Sequence, residues 1–179
     1  PDDGSSYNTA VGSQAGFAVT TGEKNTLIGS LAGDALTTSG NNVAVGYGAL
    51  TTDTSGSLST AIGYSALENQ NFTTATASYN VAVGYKAGEA ITTGVQNVFV
   101  GGLAGDALTD ADFNVAVGFS ALTTDTLGSK STAIGINSLG SQNFTTAADS
   151  FNTAVGYNAG TAITTGDSNT LIGGLAGDA

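Results

Sequence analysis

The chain has 179 residues, of which 27 are Gly, 40% are hydrophobic and only 9% are charged, and it contains no Cys and no His. This hydrophobic content argues against disorder, and the lack of Cys and His excludes thiolate chemistry and Ser-His or Cys-His nucleophiles. The net charge of −11, with Lys24, Lys86 and Lys130 as the basic residues, excludes the basic footprint that nucleic acid binding requires.

A five-residue phrase occurs ten times along the chain: Asn or Ser, Thr or Val, an apolar residue, Val or Ile, and Gly. Its openings are Asn8, Asn25, Asn42, Ser59, Asn80, Asn97, Asn114, Ser131, Asn152 and Asn169. Three steps of 17 and one of 21 along the sequence make up a 72-residue unit of four coils, and this pattern then repeats. A short fixed period is typical of a solenoid. We interpret residues 1–179 as one repeat array, with units 8–79 and 80–151 and a partial unit 152–179, and expect a piece of a longer protein.

Each coil is numbered here from its opening Asn or Ser as position 1; position 4 is always Val or Ile and position 5 is always Gly. The defining phrases include Asn8 to Gly12, Asn25 to Gly29, Asn80 to Gly84 and Asn152 to Gly156. β-branched residues followed by Gly predict a short strand that runs into a turn, and the Gly indicates φ > 0 or no room for a Cβ. A second strand per coil is predicted at stretches such as 162–165. The chain is therefore predicted to be an all-β parallel solenoid, with in-register ladders about 4.8 Å apart and a length of roughly 50 Å.

Stacking in register places like residues above one another. Asn at position 1 predicts a ladder of side-chain amides bonded from coil to coil, interrupted once per unit at Ser59 and Ser131. Positions 2 and 4 share one face of the strand and positions 3 and 5 the other, and neither face is charged. A narrow solenoid can bury only one of them, and the other would form a large apolar patch. We therefore expect an oligomer, with the small residues allowing close approach at its axis.

The phrases at 8–12, 59–63 and 80–84 resemble the head repeats of YadA-like trimeric autotransporter adhesins, and 152–160 is similar to repeats in phage tail-fibre shafts. The resemblance implies a left-handed parallel β-roll in which three chains pack around a common axis. It also implies a shaft or head that binds surfaces, no enzymatic activity, and an extracellular location on a cell surface or virion. The 17-residue and 21-residue coils are longer than those of the adhesin heads.

The two 21-residue coils carry insertions at 68–74 and 140–146. Extra residues usually leave a solenoid as a loop, often on the binding face. The candidate contacts for a cell-surface glycan or protein receptor are Asn71, Phe72, Asn143 and Phe144. The alternative is a bulge that relieves packing. Asn71 and Asn143 also begin N-glycosylation sequons, which matter only in a eukaryotic secretory setting.

A column of Thr at position 13 makes ice binding the main competing function. The column comprises Thr20, Thr37, Thr54, Thr92, Thr109, Thr126 and Thr164. It is broken by Asn71 and Asn143 in every fourth coil, and Thr is also an ordinary strand former. A purely structural filament subunit is the third alternative.

Asp106, Asp110 and Asp112 cluster in the second unit, and oxygen-rich clusters can hold Ca²⁺. The equivalent stretch of the first unit has a single carboxylate, Asp34. Because the cluster does not recur, we predict solvated loop carboxylates and no metal site, cofactor or catalytic residue. No apolar run is long enough to span a membrane, so no membrane insertion is expected.

Aromatic residues follow the position-5 Gly in five coils. They are Tyr47, Tyr64, Tyr85, Phe119 and Tyr157. Two roles are open from the sequence: stacking on sugars, or capping the turn against neighbouring coils.

Overall fold

Ten short parallel strands form one sheet along the whole of the described chain. The computed structural model of the protein describes residues 6–179. In chain order the strands are β1 (Thr9–Val11), β2 (Thr26–Ile28), β3 (Val43–Val45), β4 (Gly56–Ser57), β5 (Thr60–Ile62), β6 (Thr76–Ala77), β7 (Val81–Val83), β8 (Val98–Val100), β9 (Val115–Val117), β10 (Gly128–Ser129), β11 (Thr132–Ile134), β12 (Ala148–Asp149), β13 (Thr153–Val155) and β14 (Thr170–Ile172). The ten three-residue strands make up the main sheet, in the order β1-β2-β3-β5-β7-β8-β9-β11-β13-β14.

Each strand of the main sheet pairs in parallel with the strand of the next coil. Within the units Thr9 lies beside Thr26, one short coil further on, and across a long coil Thr60 lies beside Val81. The register therefore follows the sequence period at every step. The all-β parallel solenoid with 17-residue and 21-residue coils is confirmed, and residues 6–179 contain no helix.

Within residues 6–179, a second strand occurs only in the 21-residue coils and in the coil that precedes each of them. There β4 pairs with β6, and β10 pairs with β12, in two separate two-stranded sheets. The second strand predicted at 162–165 is wrong, because these residues form turns and bends. The second side of a 17-residue coil is tied to its neighbour by isolated main-chain bonds, such as Thr20 N to Thr37 O at 2.9 Å. Such isolated bonds do not make a ladder.

The interior is a narrow column of side chains. Its large side chains come from position 3 in some coils and from position 9 in others. Position 3 points inwards and is Ala in most coils, but in the second coil of the second unit it is the fully buried Phe99. Around this ring position 9 is Gly: a Cβ on Gly88 or Gly105 would lie 2.6 or 2.4 Å from it. In the third and fourth coils position 9 is a buried Leu, such as Leu67, and position 3 is Ala. The column is thereby filled throughout, as close packing requires.

Gly at position 5 is dictated by the close approach of the next coil. Gly84 has φ +144°, and a Cβ there would lie 2.5 Å from the carbonyl O of Gly101. The same contact, at 2.2–2.5 Å, recurs in each coil that is followed by another. Both reasons inferred from the sequence, a positive φ and no room for a Cβ, are therefore confirmed.

Candidate functional site

The Asn column closes each coil and holds the next one. Asn97 Nδ2 donates to the carbonyl O of Ala111 (2.8 Å), and Asn97 Oδ1 accepts from the main-chain N–H of Asn114 (2.9 Å). The same two bonds recur at Asn8, Asn25, Asn42, Asn80, Asn114 and Asn152. The predicted coil-to-coil ladder is confirmed, but its recurring bonds join side chain to main chain rather than amide to amide.

Where the Asn column is interrupted at Ser59, a buried polar network takes its place. Gln70 Nε2 donates to Asp53 Oδ2 (2.6 Å) and to Ser59 Oγ (2.8 Å). Gln70 Oε1 accepts from Asn80 Nδ2 (2.9 Å), and the Ser59 and Ser78 hydroxyls are 2.5 Å apart. All five side chains belong to residues at most 1% exposed. We call Asp53, Ser59, Gln70, Ser78 and Asn80 the polar junction; each of its buried side-chain polar atoms has a hydrogen-bond partner, as burial demands.

The second unit repeats the polar junction in the same positions. Its members are Asp125, Ser131, Gln142, Ser150 and Asn152. Sequence reasoning missed both copies, although a signal was present. Position 12 is Val, Leu or Ile in the first two coils of each unit but Asp and then Gln in the third and fourth. A polar pair at an otherwise apolar coil position indicates a buried network when the coils stack in register.

The predicted contact residues lie at the base of each insertion and not at its tip. Phe72 is 6% exposed, and its main-chain N–H donates to the carboxylate of the polar junction (3.1 Å). Asn71 Oδ1 accepts from a Thr hydroxyl of the preceding coil (3.3 Å), and Asn143 and Phe144 are half-buried. The exposed tips are residues 73–75 and 145–147. Receptor contact at the four named residues stays a prediction, and a partner would reach the tips first.

The outward face of the main sheet is uncharged, β-branched and uncovered. Positions 2 and 4 point outwards, as Val98 and Val100 do on either side of the buried Phe99. Ile62 and Val100 at position 4 are 38% and 37% exposed. The expectation that the small residues face a partner is wrong, because Ala at position 3 packs in the chain's own narrow core. The face left for a partner is the β-branched one.

Two rows that contain large side chains border this outward face. The row at position 6 contains Tyr47, Tyr64, Tyr85, Phe119, Ile136 and Tyr157, and the row that directly precedes position 1 contains Tyr7, Leu58, Tyr79, Phe113 and Phe151. Their exposed fractions range from 38% to 68%. We call positions 2 and 4 together with both rows the sheet face. Most of its side chains are apolar or aromatic.

Three consecutive tyrosines of the position-6 row are stacked. The ring centroids of Tyr47 and Tyr64 are 5.4 Å apart with an interplanar angle of 13°, and those of Tyr64 and Tyr85 are 5.5 Å apart at 19°. Both ring faces of Tyr64 are thus covered by neighbours. For Tyr64 this favours capping of the turn over sugar stacking, which needs a free ring face, whereas Tyr47 and Tyr85 each have a tyrosine on one face only.

The hydroxyls of the Thr column bond to the next coil. Thr37 Oγ1 donates to the carbonyl O of Thr54 (2.9 Å), and Thr92 Oγ1 donates to that of Thr109 (3.2 Å). Thr109 in turn donates to the carbonyl O of Thr126 (3.1 Å). Because these donors are used within the protein, the column does not present an array of free hydroxyls to water. This arrangement does not support ice binding through position 13.

Asp106, Asp110 and Asp112 point to three different partners. Asp106 accepts from the Thr123 hydroxyl (2.6 Å), Asp110 from a Thr hydroxyl of the preceding coil (2.6 Å), and Asp112 from a main-chain N–H (2.7 Å). Burial raises the pKa of the Asp106 carboxyl above its ordinary value, although the bond from Thr123 opposes the shift. Within residues 6–179, no three His, Cys, Asp or Glu side chains are grouped to hold a metal ion.

No protein-family model, curated protein or solved structure matches this chain. Residues 6–179 also provide no helix with the length and apolarity that a bilayer span requires. A functional assignment therefore rests on the geometry of the solenoid and its surfaces.

Proposed function

We propose that this chain is a non-catalytic segment of an extracellular fibre, on a cell surface or a virion, that associates laterally as a homotrimer and adheres to a receptor. The observation that carries the proposal is the uncovered sheet face. The trimeric state follows the resemblance of the repeated phrase to adhesin and tail-fibre repeats.

The sheet face has the size of a protein–protein interface. Ten strands about 4.8 Å apart and a strip about 20 Å wide give on the order of 900 Å² per chain. A stable interface buries about 800 Å² per partner, whereas the largest apolar patch of a typical monomer is about 300–600 Å². Positions 2 and 4 hold only Thr, Val and Ile, so covering the strands themselves desolvates no charge; the charged residues of the two bordering rows are Lys24 and Lys130.

A further copy of the same chain is the partner that fits this face best. Its coils have the same rise as those they would contact, since both are set by the spacing of parallel strands. A copy packed in register would therefore repeat the same small contact at every coil. A partner without this period would match the face at only a few coils.

Adhesion would come from repetition along a stiff rod. The Asn column and the strand ladders join every described coil to the next, which fixes the distance between equivalent surfaces. The tips at 73–75 and 145–147 recur once per 72-residue unit, and three chains would triple their number. Weak contacts to a glycan or protein receptor then gain from multivalency.

Charge placed on the sheet face tests the oligomer. We expect wild-type protein to sediment as a trimer, and Ile62→Lys together with Val100→Lys to give smaller species, because two ammonium groups would have to be buried. Thr74→Lys, on an exposed tip, is the matched control and should remain trimeric. A wild-type chain that sediments as a monomer at micromolar concentration would overturn the trimer.

Binding assays separate adhesion from the alternatives. The wild-type trimer should bind host-cell surfaces or glycan arrays more tightly than the Ile62→Lys, Val100→Lys double variant. A trimer that binds neither would leave a purely structural filament subunit. Thermal hysteresis in cold solution would instead favour ice binding.

A further inference from the structure

We propose that Tyr47, Tyr64 and Tyr85 form an oxidative cross-linking site, at which a one-electron oxidant joins neighbouring coils through dityrosine bonds. The three tyrosines belong to the position-6 row at the border of the sheet face, so the site is open in the single chain and in any assembly that covers only positions 2 and 4. It rests on the stacked geometry of three rings and on the amino-acid composition of the whole chain.

The three phenol rings are held at the coil spacing and remain accessible. Their ring centroids are 5.4 and 5.5 Å apart, and the residues are 48–54% exposed. Main-chain hydrogen bonds between coils hold the backbone of these tyrosines in place. The carbonyl O of Tyr47 accepts from Ser65 N (2.9 Å), and that of Tyr64 accepts from Lys86 N (2.8 Å). A small oxidant can therefore reach each ring while the backbone keeps its neighbour in place.

The composition of the chain directs oxidation to tyrosine. The sequence contains no Cys, Met, Trp or His and has six Tyr. Cys and Met, which are the usual sites of oxidative damage, are thus absent. A one-electron oxidant acting on this protein has tyrosine as its most easily oxidised side chain.

The stack has defined ends and built-in controls. At position 6 the row continues with Ser30 on one side and Gly102 on the other, so the run of neighbouring tyrosines stops at three. The remaining tyrosines, Tyr7, Tyr79 and Tyr157, are 54–68% exposed but have no tyrosine at the same position of an adjacent coil. The stacked and the unstacked tyrosines are thus similarly exposed, but only the stacked ones have a tyrosine at the same position of an adjacent coil.

The reaction balances with a peroxide as the terminal oxidant. Two neighbouring phenols each lose one electron and one proton, and the two phenoxyl radicals form a C–C bond between ring carbons ortho to the oxygens. Each of these carbons then passes its hydrogen to its own oxygen as the ring regains aromaticity. Two electrons and two protons leave in total, and with a peroxidase they reduce one hydrogen peroxide to two waters. The rings turn from face-to-face to edge contact, which their partial exposure allows.

One of the two bonds, between Tyr64 and Tyr85, would join the two 72-residue units. Tyr47 lies in the third coil and Tyr64 in the fourth, whereas Tyr85 lies in the first coil of the next unit. One dityrosine bond would close a loop one short coil long, and the other would close a loop one long coil in length, both next to the polar junction. Like a disulfide, each bond would restrict the unfolded chain and so raise thermal stability.

Oxidation of dilute protein with peroxidase and hydrogen peroxide tests the site. The monomer band isolated from a denaturing gel should show dityrosine fluorescence and a mass lower by two hydrogens per bond. Cleavage before Asp53 separates Tyr47 from Tyr64, and cleavage after Glu68 separates Tyr64 from Tyr85. After denaturation, the fragments flanking each cut should remain covalently joined.

Two variants and an unfolded control decide the outcome. Tyr64→Phe keeps the ring stack but leaves the other two phenols two coils apart, so both joined fragment pairs should be lost. Tyr79→Phe, an exposed tyrosine without a partner, should leave them unchanged. The proposal is overturned if Tyr64→Phe yields as much intrachain dityrosine as the wild type, if protein unfolded in urea gives the same joined fragments in the same yield, or if dityrosine forms only between chains.

Discussion

Replacing Gln70 by Leu removes the centre of the polar junction while nearly preserving side-chain volume. The substitution deletes the donor to Asp53 Oδ2 (2.6 Å) and to Ser59 Oγ (2.8 Å), and the acceptor for Asn80 Nδ2 (2.9 Å). A hydrogen bond to a charged group contributes about 1.5–3 kcal/mol, and a buried polar group left without a partner costs about 1–3 kcal/mol. Added apolar burial returns about 1 kcal/mol. We expect Gln70→Leu to lower the free energy of unfolding by about 2–5 kcal/mol.

Urea unfolding followed by circular dichroism at one fixed protein concentration measures this change. Gln142→Leu makes the same replacement in the second unit and should have a similar effect, because its contacts are the same. Gln14→Leu, at an exposed position outside the sheet face, should stay within about 0.5 kcal/mol of the wild type. The stability of a solenoid is a sum of coil and neighbour terms, so the two junction variants need not unfold in one transition. A loss below about 1 kcal/mol in both, or an equal loss in Gln14→Leu, would refute the reasoning.

Two further predictions concern the backbone and the pH. Gly84→Ala should lower the free energy of unfolding by about 3–5 kcal/mol, because it combines a strained φ with overpacking. Gly102→Ala is the control and should be near neutral, because its Cβ would meet nothing closer than 3.5 Å. Equal melting temperatures of the two variants would contradict this prediction. Because burial raises the pKa of Asp106 above its ordinary 3.8, the folded chain holds more protons than the unfolded chain above that pH, and the contribution of this carboxyl to stability falls as the pH rises. Asp106→Asn, which can still accept from Thr123, should therefore gain stability over the wild type at neutral pH and lose that gain in acid, and a difference in urea midpoint that is independent of pH would argue against it.

The register of the main sheet could be predicted from the sequence because position and period are directly visible there. The short and long steps of the repeated phrase place Thr9 beside Thr26 and Thr60 beside Val81, as the structure does. The Gly at position 5 likewise has few alternatives, since a carbonyl O occupies the place of its Cβ. These features depend on local geometry that every coil shares.

The contents of the core could not be predicted in the same way, because they depend on differences between coils. Leu67 has φ +50°, a conformation that disfavours any residue with a Cβ by about 1–2 kcal/mol. It is tolerated because the fully buried Leu side chain returns about 1.5–3 kcal/mol. Asp53 and Gln70 are polar residues that the sequence alone would place in solvent. Their burial becomes understandable only when the hydrogen bond between the two side chains is known. Predicting either needs the identity of the adjacent coil as well as the period.

The sequence led to the wrong expectation about which face of the strand points outwards, since the small residues were expected on the partner side. Alternation gives two faces, one with Ala and Gly and one with β-branched residues, and both are uncharged. The structure places the small residues inside, because so short a coil encloses too little room for two rows of branched side chains. The diameter of the coil, which periodicity does not reveal, decided the outcome.

The two bonds of each Asn in the column have a consequence for how the chain folds. Asn97 reaches Ala111 within its own coil and Asn114 at the start of the next, so both partners lie within one coil of it along the sequence. Contacts over one coil in a chain of ten correspond to a relative contact order of roughly 0.1, in the range of fast-folding proteins. Each coil can thus close soon after its own residues leave the ribosome, before the distant part of the chain exists. An array built in this way can be lengthened or shortened by whole 72-residue units, because each unit carries the same matched core and polar junction.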